Sequence, residues 1–167
     1  MGGMREMIAA RRRGVGGLVC PIPGTGGSAK GISNVFVHDR NSKTSVCASV
    51  SSSGEPGNVH SITKGGPCLS ADGRFVAFSS QATNLVANDT NQRADIFVRD
   101  LLEQRTVRVS VASDGAQSDS NSWSVSLSAD GRRVAFESDA TTLTPDDTNG
   151  DAHVFVHEID WSEVRSR

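Results

Sequence analysis

Leu69–Phe78 reads Leu-Ser-Ala-Asp-Gly-Arg-Phe-Val-Ala-Phe, and Leu127–Phe136 reads Leu-Ser-Ala-Asp-Gly-Arg-Arg-Val-Ala-Phe, 58 residues further along the chain. The agreement extends beyond these stretches, because 69–101 and 127–159 are identical at 19 of 33 aligned positions without a gap. A repeat of this length indicates structurally equivalent units that stack on one another.

Each unit is predicted to contain four short β-strands. In the first full copy they lie near 65–69, at 74–79, at 95–100 and at 105–111. The Asp-Gly of the repeated Ser-Ala-Asp-Gly-Arg predicts a two-residue hairpin turn between the first two strands, because glycine tolerates a positive φ. No window of the sequence shows the 3.6-residue apolar period of a helix, so an all-β chain is expected.

The second and third strands carry apolar residues on both faces. These residues are Phe75, Val76, Ala77 and Phe78 in one strand, and Ile96, Phe97 and Val98 in the other. A strand with one solvated face alternates apolar and polar residues, so this pattern predicts a sheet packed between two neighbours. Four-stranded antiparallel sheets that repeat and stack in this way are typical of β-propeller blades.

The repeat divides the chain into four segments. Residues 33–64 match the last two strands of a unit and its following loop, 65–122 form a full blade, and 123–167 form a blade whose last strand, near 161–165, is weakly marked. Residues 1–32 contain nine of the 17 glycines and no alternating pattern. This N-terminal segment is predicted to be disordered or poorly packed.

Charge and hydropathy exclude some classes of partner. The chain has 17 basic and 19 acidic residues, and 12 of the basic and 18 of the acidic ones lie in 31–167. A mildly acidic body is unfavourable for binding phosphate backbones, so no nucleic-acid partner is expected. The sequence holds no apolar stretch long enough for a membrane span, and its N-terminus carries no clear signal peptide.

The cysteines and histidines show no metal-binding or catalytic pattern. Cys20, Cys47 and Cys68 are odd in number and lack CxxC spacing, so free, buried or half-buried thiols are predicted. Four residues on a strand span about 13 Å, too far for one zinc ion to bind both His153 and His157. All four histidines are therefore predicted to be structural: His38, His60, His153 and His157.

The motifs resemble those of a known family. Ser-Ala-Asp-Gly-Arg-x-Val-Ala-Phe, followed by Asp-Ile-Phe-Val-Arg-Asp-Leu at 95–101, resembles the TolB-type (WD-like) β-propeller repeat of bacteria, which has Ser-Pro-Asp-Gly in the turn. Ala71 and Ala129 stand where that family has proline. The resemblance implies propeller blades and a periplasmic or extracellular location.

The number of copies predicts an open stack of blades. A closed propeller needs about four to eight blades, whereas 33–167 holds about two and a half. An open stack leaves an apolar blade face and strand edges uncovered. The chain is therefore predicted to be a fragment of a longer protein, with ring closure by a homo-oligomer as the alternative.

The Asp/Asn-rich loop between the second and third strands is the best candidate for chemistry. Asp147, Asn149 and Asp151 occupy alternating positions, as do the oxygen ligands that wrap Ca²⁺ in many loops. The EF-hand pattern fails, because Gly150 interrupts it and Glu158 falls on a predicted strand. The competing interpretation is a loop whose short polar side chains bond their own backbone. Ca²⁺ is the one cofactor that the sequence suggests.

The sequence favours a non-enzymatic β-propeller module for protein–protein or ligand binding. It has no Gly-x-Ser-x-Gly, no P-loop and no dinucleotide fingerprint, and Asp72 and Asp130 are predicted to bond within their turns. A protein partner is expected to contact loops at one end of the blades. Two alternatives stay open, the propeller part of a larger enzyme such as a prolyl-oligopeptidase-like serine peptidase and a calcium-stabilised surface repeat.

Overall fold

The computed structural model describes residues 32–61, 68–145, 147 and 150–162, together with the backbone of 7–13. The described residues form ten strands and no helix: β1 (Met7–Arg13), β2 (Ser33–Asp39), β3 (Thr44–Cys47), β4 (Cys68–Leu69), β5 (Phe75–Ser80), β6 (Asp95–Asp100), β7 (Arg105–Arg108), β8 (Ser122–Leu127), β9 (Arg133–Ser138) and β10 (His153–Glu158). The predicted all-β class is confirmed.

The strands form three antiparallel sheets in chain order. Blade I is β1-β2-β3, blade II is β4-β5-β6-β7, and blade III is β8-β9-β10. Each strand pairs with the next one along the chain within its sheet, which is the meander of a propeller blade. Equivalent positions lie 61 residues apart between blades I and II, as for Val35 and Ile96, and 58 apart between blades II and III.

Blade II is packed between the other two blades, as the two-faced apolar pattern predicts. The core between blades I and II contains Val35, Val37, Ala48, Val76, Phe78, Ala82, Leu85 and Phe97. The core between blades II and III contains Phe75, Ala77, Ile96, Val98, Val109, Val125, Val134, Phe136, Ala140, Leu143 and Ile159. Alternate residues of β5 and β6 therefore enter different cores, so both faces of blade II are removed from water.

The N-terminal segment differs from the predicted disorder over Met7–Arg13. These residues form β1, in which Met7 pairs with Asp39 just as Phe75 pairs with Asp100 in blade II. β1 thus takes the place of a second strand in blade I. The physical reason is that β2 would otherwise present a row of unpaired backbone N–H and C=O groups along this edge. The rest of 1–31 lies outside the described residues.

The repeated turn is longer than the predicted two-residue hairpin. Gly73 has a φ of 69° and its amide donates to the Ser70 carbonyl (2.9 Å). The Asp72 carboxylate accepts hydrogen bonds from the Ser70 hydroxyl (2.6 Å) and the Arg74 amide (3.0 Å). These bonds hold Asp72 in an Asx-type turn, so only the glycine needs a positive φ. Asp130 makes the same two bonds in blade III, which confirms the predicted turn role of both aspartates.

The ends of the fourth strands also differ from the prediction. β7 stops at Arg108 rather than near 111, and Val111 forms only an isolated bridge to Gln117. In blade III, Trp161 and Ser162 lie in a turn, and 163–165 lie outside the described residues. The predicted third strands at 95–100 and 153–158 are confirmed.

Candidate functional site

The antiparallel blades place their connections at two opposite ends. The turn end carries the short Asp-Gly turns of blades II and III. The loop end carries the long connections, at 51–61, 81–94, 112–122 and 139–152. Binding residues are most often displayed on loops held by a rigid scaffold, so a binding site is expected at the loop end.

Side chains at the loop end bind neighbouring blades to each other. The Asn58 side chain accepts from the Thr83 amide (3.1 Å) and donates to the Thr83 hydroxyl (2.9 Å). Asp119, the equivalent residue, accepts from the Thr141 amide (2.8 Å) and hydroxyl (2.6 Å). The hydrogen bond from the Thr141 hydroxyl is the main reason that the pKa of Asp119 is lowered. These bonds fix the loops in one arrangement, which is a preorganised polar surface.

Buried charged side chains hold the Asp/Asn-rich loop of blade II, at 81–94, in place. Asp95 is fully buried and accepts from the Ser110 hydroxyl (2.5 Å) and from Asn91 Nδ2 (3.0 Å). Arg108 Nη1 lies 3.4 Å from Asp89 Oδ1 and 3.6 Å from Asp95 Oδ2. Burial and the charge of Asp95 raise the pKa of Asp89, although Arg108 opposes the shift. The arginine and the bonds to Asp95 give this cluster a structural role.

The equivalent loop of blade III is arranged differently. Asp147 corresponds to Asp89, but the side chain beside it is the imidazole of His153, whose Nε2 lies 3.8 Å from Asp147 Oδ2. The Asp147 side chain is 4% exposed, and neither oxygen accepts a hydrogen bond from a described residue. Asn149 lies outside the described residues and Asp151 is exposed. No three His, Cys, Asp or Glu side chains among the described residues group around a metal position, and the calcium site stays a prediction.

The contact between the side chains of His38 and Ser45 is a feature of the repeat. His38 Nδ1 lies 2.9 Å from Ser45 Oγ, across β2 and β3. In blade II the equivalent Arg99 donates to the Thr106 hydroxyl (3.1 Å). Because a cation that cannot act as a base makes the same contact, the position serves strand pairing. In blade III burial lowers the pKa of the equivalent His157.

The cysteines only partly follow the prediction of free thiols. Cys68 is free and half-buried, its thiol donates to the Val125 carbonyl (3.0 Å), and burial raises its pKa. Cys47 is disulfide-bonded, with a partner outside the described residues. The prediction was wrong for Cys47 because a disulfide depends on distance in the fold, which cysteine spacing in the sequence does not reveal.

A small pocket opens at the loop end between blades II and III. It has a volume of about 290 Å³ and is lined by residues that include Gln81, Asn121 and Trp123. The indole N–H of Trp123 donates to the Glu137 carboxylate (2.7 Å), and Asn121 Oδ1 accepts from the Ala94 amide (2.9 Å). This pocket was not predicted from the sequence. The available signal was Trp123 itself, a large aromatic residue in a chain with 5% aromatics.

The chain is similar to known proteins only at the level of solved structures. No protein-family model matches the chain, and no curated protein matches it. Among solved structures it is similar to TolB from Acinetobacter baumannii (15% identity, 78% of this chain, 25% of that chain, TM-score 0.44). It is also similar to a TolB from Agrobacterium tumefaciens (18%, 77%, 38%, TM-score 0.46) and to the tricorn protease (13%, 65%, 9%, TM-score 0.44).

The chain spans less than two thirds of the length of each of these structures. The chain spans 25% of the Acinetobacter TolB, 38% of the Agrobacterium TolB and 9% of the tricorn protease. The assignment to propeller blades therefore rests on the strand order and on the stacking of the sheets described above. In the described parts of the chain, no helix has the length and hydropathy of a membrane span.

Proposed function

We propose that the chain is part of a non-enzymatic β-propeller module for protein–protein or ligand binding, and that a protein covers the outer face of blade III. This outer face is the side of β9 and β10 that points away from blade II. The proposal rests on Val154 and Val156, which are 71% and 67% exposed on this face. Contiguous exposed apolar residues mark surfaces that other proteins cover.

Comparison of equivalent residues supports this interpretation. Ile96 and Val98 occupy the same positions in blade II, and both are 0% exposed because blade III packs on them. Blade III keeps a β-branched residue at both positions. Terminal repeats that face solvent usually carry polar residues there, so the two valines favour a face that is covered in the working protein.

Charged residues border the same face. Arg133 replaces the apolar Phe75 of blade II, and its Nε lies 3.8 Å from a carboxylate oxygen of Glu158. Both side chains are exposed, so this ion pair adds little to stability. An apolar centre with a charged rim is common in protein interfaces, where rim charges select the partner.

The roles of the polar residues support binding rather than catalysis. The turn aspartates bond their own backbone, the Asp89 cluster is paired internally, and the His38–Ser45 contact belongs to the repeat. The location in the periplasm or outside the cell, which the family resemblance implies, stays a prediction, as does the identity of the partner.

Replacing Val154 and Val156 together by glutamate tests the exposed face. We expect the wild-type chain to bind the dye 8-anilinonaphthalene-1-sulfonate or to self-associate in sedimentation velocity, because the two valines are accessible. The double variant should lose most of this signal while keeping its far-UV circular dichroism. Leu102→Glu is the matched control, since Leu102 is 68% exposed in a turn of blade II. A wild-type monomer that binds no dye would contradict the proposed face.

Stabilisation by calcium is the second candidate function, and Asp147 favours it. Both oxygens of this buried carboxylate lack a hydrogen-bond donor among the described residues, and a cation would compensate the cost of burying them. The ligands would be Asp147, Asn149 and Asp151. Histidine is not among the oxygen ligands of Ca²⁺, so His153 would stay outside the coordination shell.

Thermal unfolding with and without millimolar CaCl₂ tests the calcium hypothesis. Ca²⁺ is expected to raise the melting temperature of the wild type, by about 2–4 °C for each kcal/mol of binding energy. Asp147→Asn should abolish this rise. Asp89→Asn is the control and should keep it, because Asp89 is already paired with Arg108. If Ca²⁺ does not change the melting temperature of the wild type, the calcium hypothesis is wrong.

A further inference from the structure

We infer that the outer face of blade III binds a second copy of the chain, face to face, about a two-fold axis that runs along β9 and β10. The inference rests on the proposed function, in which a protein covers this face, and it names that protein. Val154 and Val156 lie on the face and are 71% and 67% exposed. Two-fold pairing through one self-complementary surface is the commonest form of homo-oligomer. The face must therefore match itself in charge and in shape.

The strand register gives the layout of the outer face. Val134 and Phe136 enter the core with blade II, so the residues that alternate with them on β9 point the other way. Three cross-strand pairs of β9 and β10 lie on this side: Arg133 with Glu158, Ala135 with Val156, and Glu137 with Val154. The first pair is an ion pair at the turn end, and the second is a small residue beside a branched one at the centre.

The charges of the face are complementary to themselves. An axis between β9 and β10 exchanges these two strands, so Arg133 of each copy lies over Glu158 of the other. Within one chain the two side chains lie 3.8 Å apart and are 68% and 69% exposed, and a surface pair of this kind contributes little stability. In the contact between copies each charge faces an opposite charge, which fixes the register and selects the partner.

The centre of the face is complementary in size. The same axis places Val156 of each copy over Ala135 of the other, so a branched side chain meets a small one. Their equivalents in blade II, Val98 and Ala77, are both 0% exposed beneath blade III, which shows that such a pair packs closely against a sheet. Sheets that pack face to face keep their strands within about 30° of one another, and an axis along the strands satisfies this condition.

A further blade of the same repeat fits this face less well than a second copy does. Where blade III covers blade II, it buries Phe75, which is 6% exposed and stacks on Trp161. Arg133 replaces Phe75 in blade III. A blade packed in the same way would bury the guanidinium where the described contact places an aromatic ring, and burying a charge without a counter-charge is costly. A second copy instead supplies the carboxylate of Glu158.

The other end of the stack favours pairing through blade III alone. Val35 and Val37 enter the core with blade II, so Phe36 between them points away from it. Phe36 is nevertheless only 5% exposed, and Cys47, which pairs with it across β2 and β3, is disulfide-bonded. Head-to-tail association joins two different faces and would need Phe36 to be accessible. Face-to-face pairing needs only the outer face of blade III.

Sedimentation velocity on the full chain over a range of concentrations tests the inference. Arg133→Glu and Glu158→Arg should each weaken the dimer more than about tenfold, because each variant places like charges opposite each other twice. An equimolar mixture of the two variants should dimerise again, since one copy then brings two carboxylates and the other two guanidinium groups. An effect within one chain cannot restore association in the mixture, so this recovery is specific to a two-fold contact.

Arg93→Glu is the matched control, because it makes the same change of charge on an exposed residue of the 81–94 loop, and it should dimerise like the wild type. All three replaced side chains are exposed, so the variants should fold normally. Replacing Val154 and Val156 together by glutamate should weaken the dimer at least about a hundredfold, because carboxylates would be buried in the contact.

Three results would overturn the inference: a wild type that is monomeric at hundreds of micromolar, a dimer that survives the double valine replacement, or a mixture of the two charge variants that does not associate. A monomer that still binds 8-anilinonaphthalene-1-sulfonate through Val154 and Val156 would leave the proposed function intact and assign the face to a different protein. A monomer that binds no dye would contradict both.

Discussion

Phe97→Ala is expected to lower the free energy of unfolding by about 3–5 kcal/mol. Phe97 is 0% exposed, and its ring centroid lies 5.9 Å from that of Phe78 in the core between blades I and II. Removing the ring loses its burial and leaves a cavity between two sheets that the remaining side chains fill only in part. Urea unfolding followed by far-UV circular dichroism measures the change.

Phe155 provides a control at the equivalent position of blade III. Its ring stacks on Phe136 at 5.8 Å, but the side chain is only half-buried. Phe155→Ala should therefore cost less, about 1–2 kcal/mol, because less area returns to water. Equal losses for the two variants would contradict the difference in burial between the two rings.

The strands and their stacking were predictable because the two copies of the repeat show which positions carry the same kind of residue. Phe78 and Ala77 are apolar neighbours on opposite faces of one strand, and the structure places them in different cores. A strand that is apolar on both faces is expected in a sheet that packs between two other sheets, because both faces are then removed from water. The turn aspartates were predictable for a similar reason, since their bonds are local.

β1 was not predictable from the same signals. Its register places Met7 where blade II has Phe75, but the residues before it lack the Ser-Ala-Asp-Gly-Arg turn that marks the other copies. The segment becomes a strand because the edge of β2 is available to it. An isolated strand signal cannot show that, because strand pairing is decided by tertiary context.

The candidate sites could be predicted only in part, because they form where blades meet. Asp147 was found through its loop composition, but its neighbour His153 is brought close by the fold. The pocket joins Gln81 of blade II to Trp123 at the start of blade III. Local spacing carries no information about such a junction, so neither the pocket nor the hydrogen bond of the indole to Glu137 could be predicted.

Gly131→Ala is expected to destabilise the protein by about 2–5 kcal/mol, from left-handed backbone strain of about 1–2 and overpacking of about 1–3. Gly131 has a φ of 72°, and a Cβ there would lie 2.1 Å from Phe75 Cδ2. The Phe75 ring cannot withdraw easily, because it is 6% exposed and stacks on Trp161 with ring centroids 4.6 Å apart. Urea unfolding followed by tryptophan fluorescence measures the loss, and Trp161 reports on this contact directly.

Gly115→Ala separates the two causes. Gly115 has a φ of 86°, but nothing lies within 4 Å of the position that its Cβ would take. This control should cost only the backbone strain, about 1–2 kcal/mol, so the extra loss in Gly131→Ala measures the steric contact with Phe75. If the two variants are equally stable, the turn of blade III does not pack on blade II as described. A larger loss at Gly131 means that the repeated glycine serves both the turn and the approach of one blade to the next.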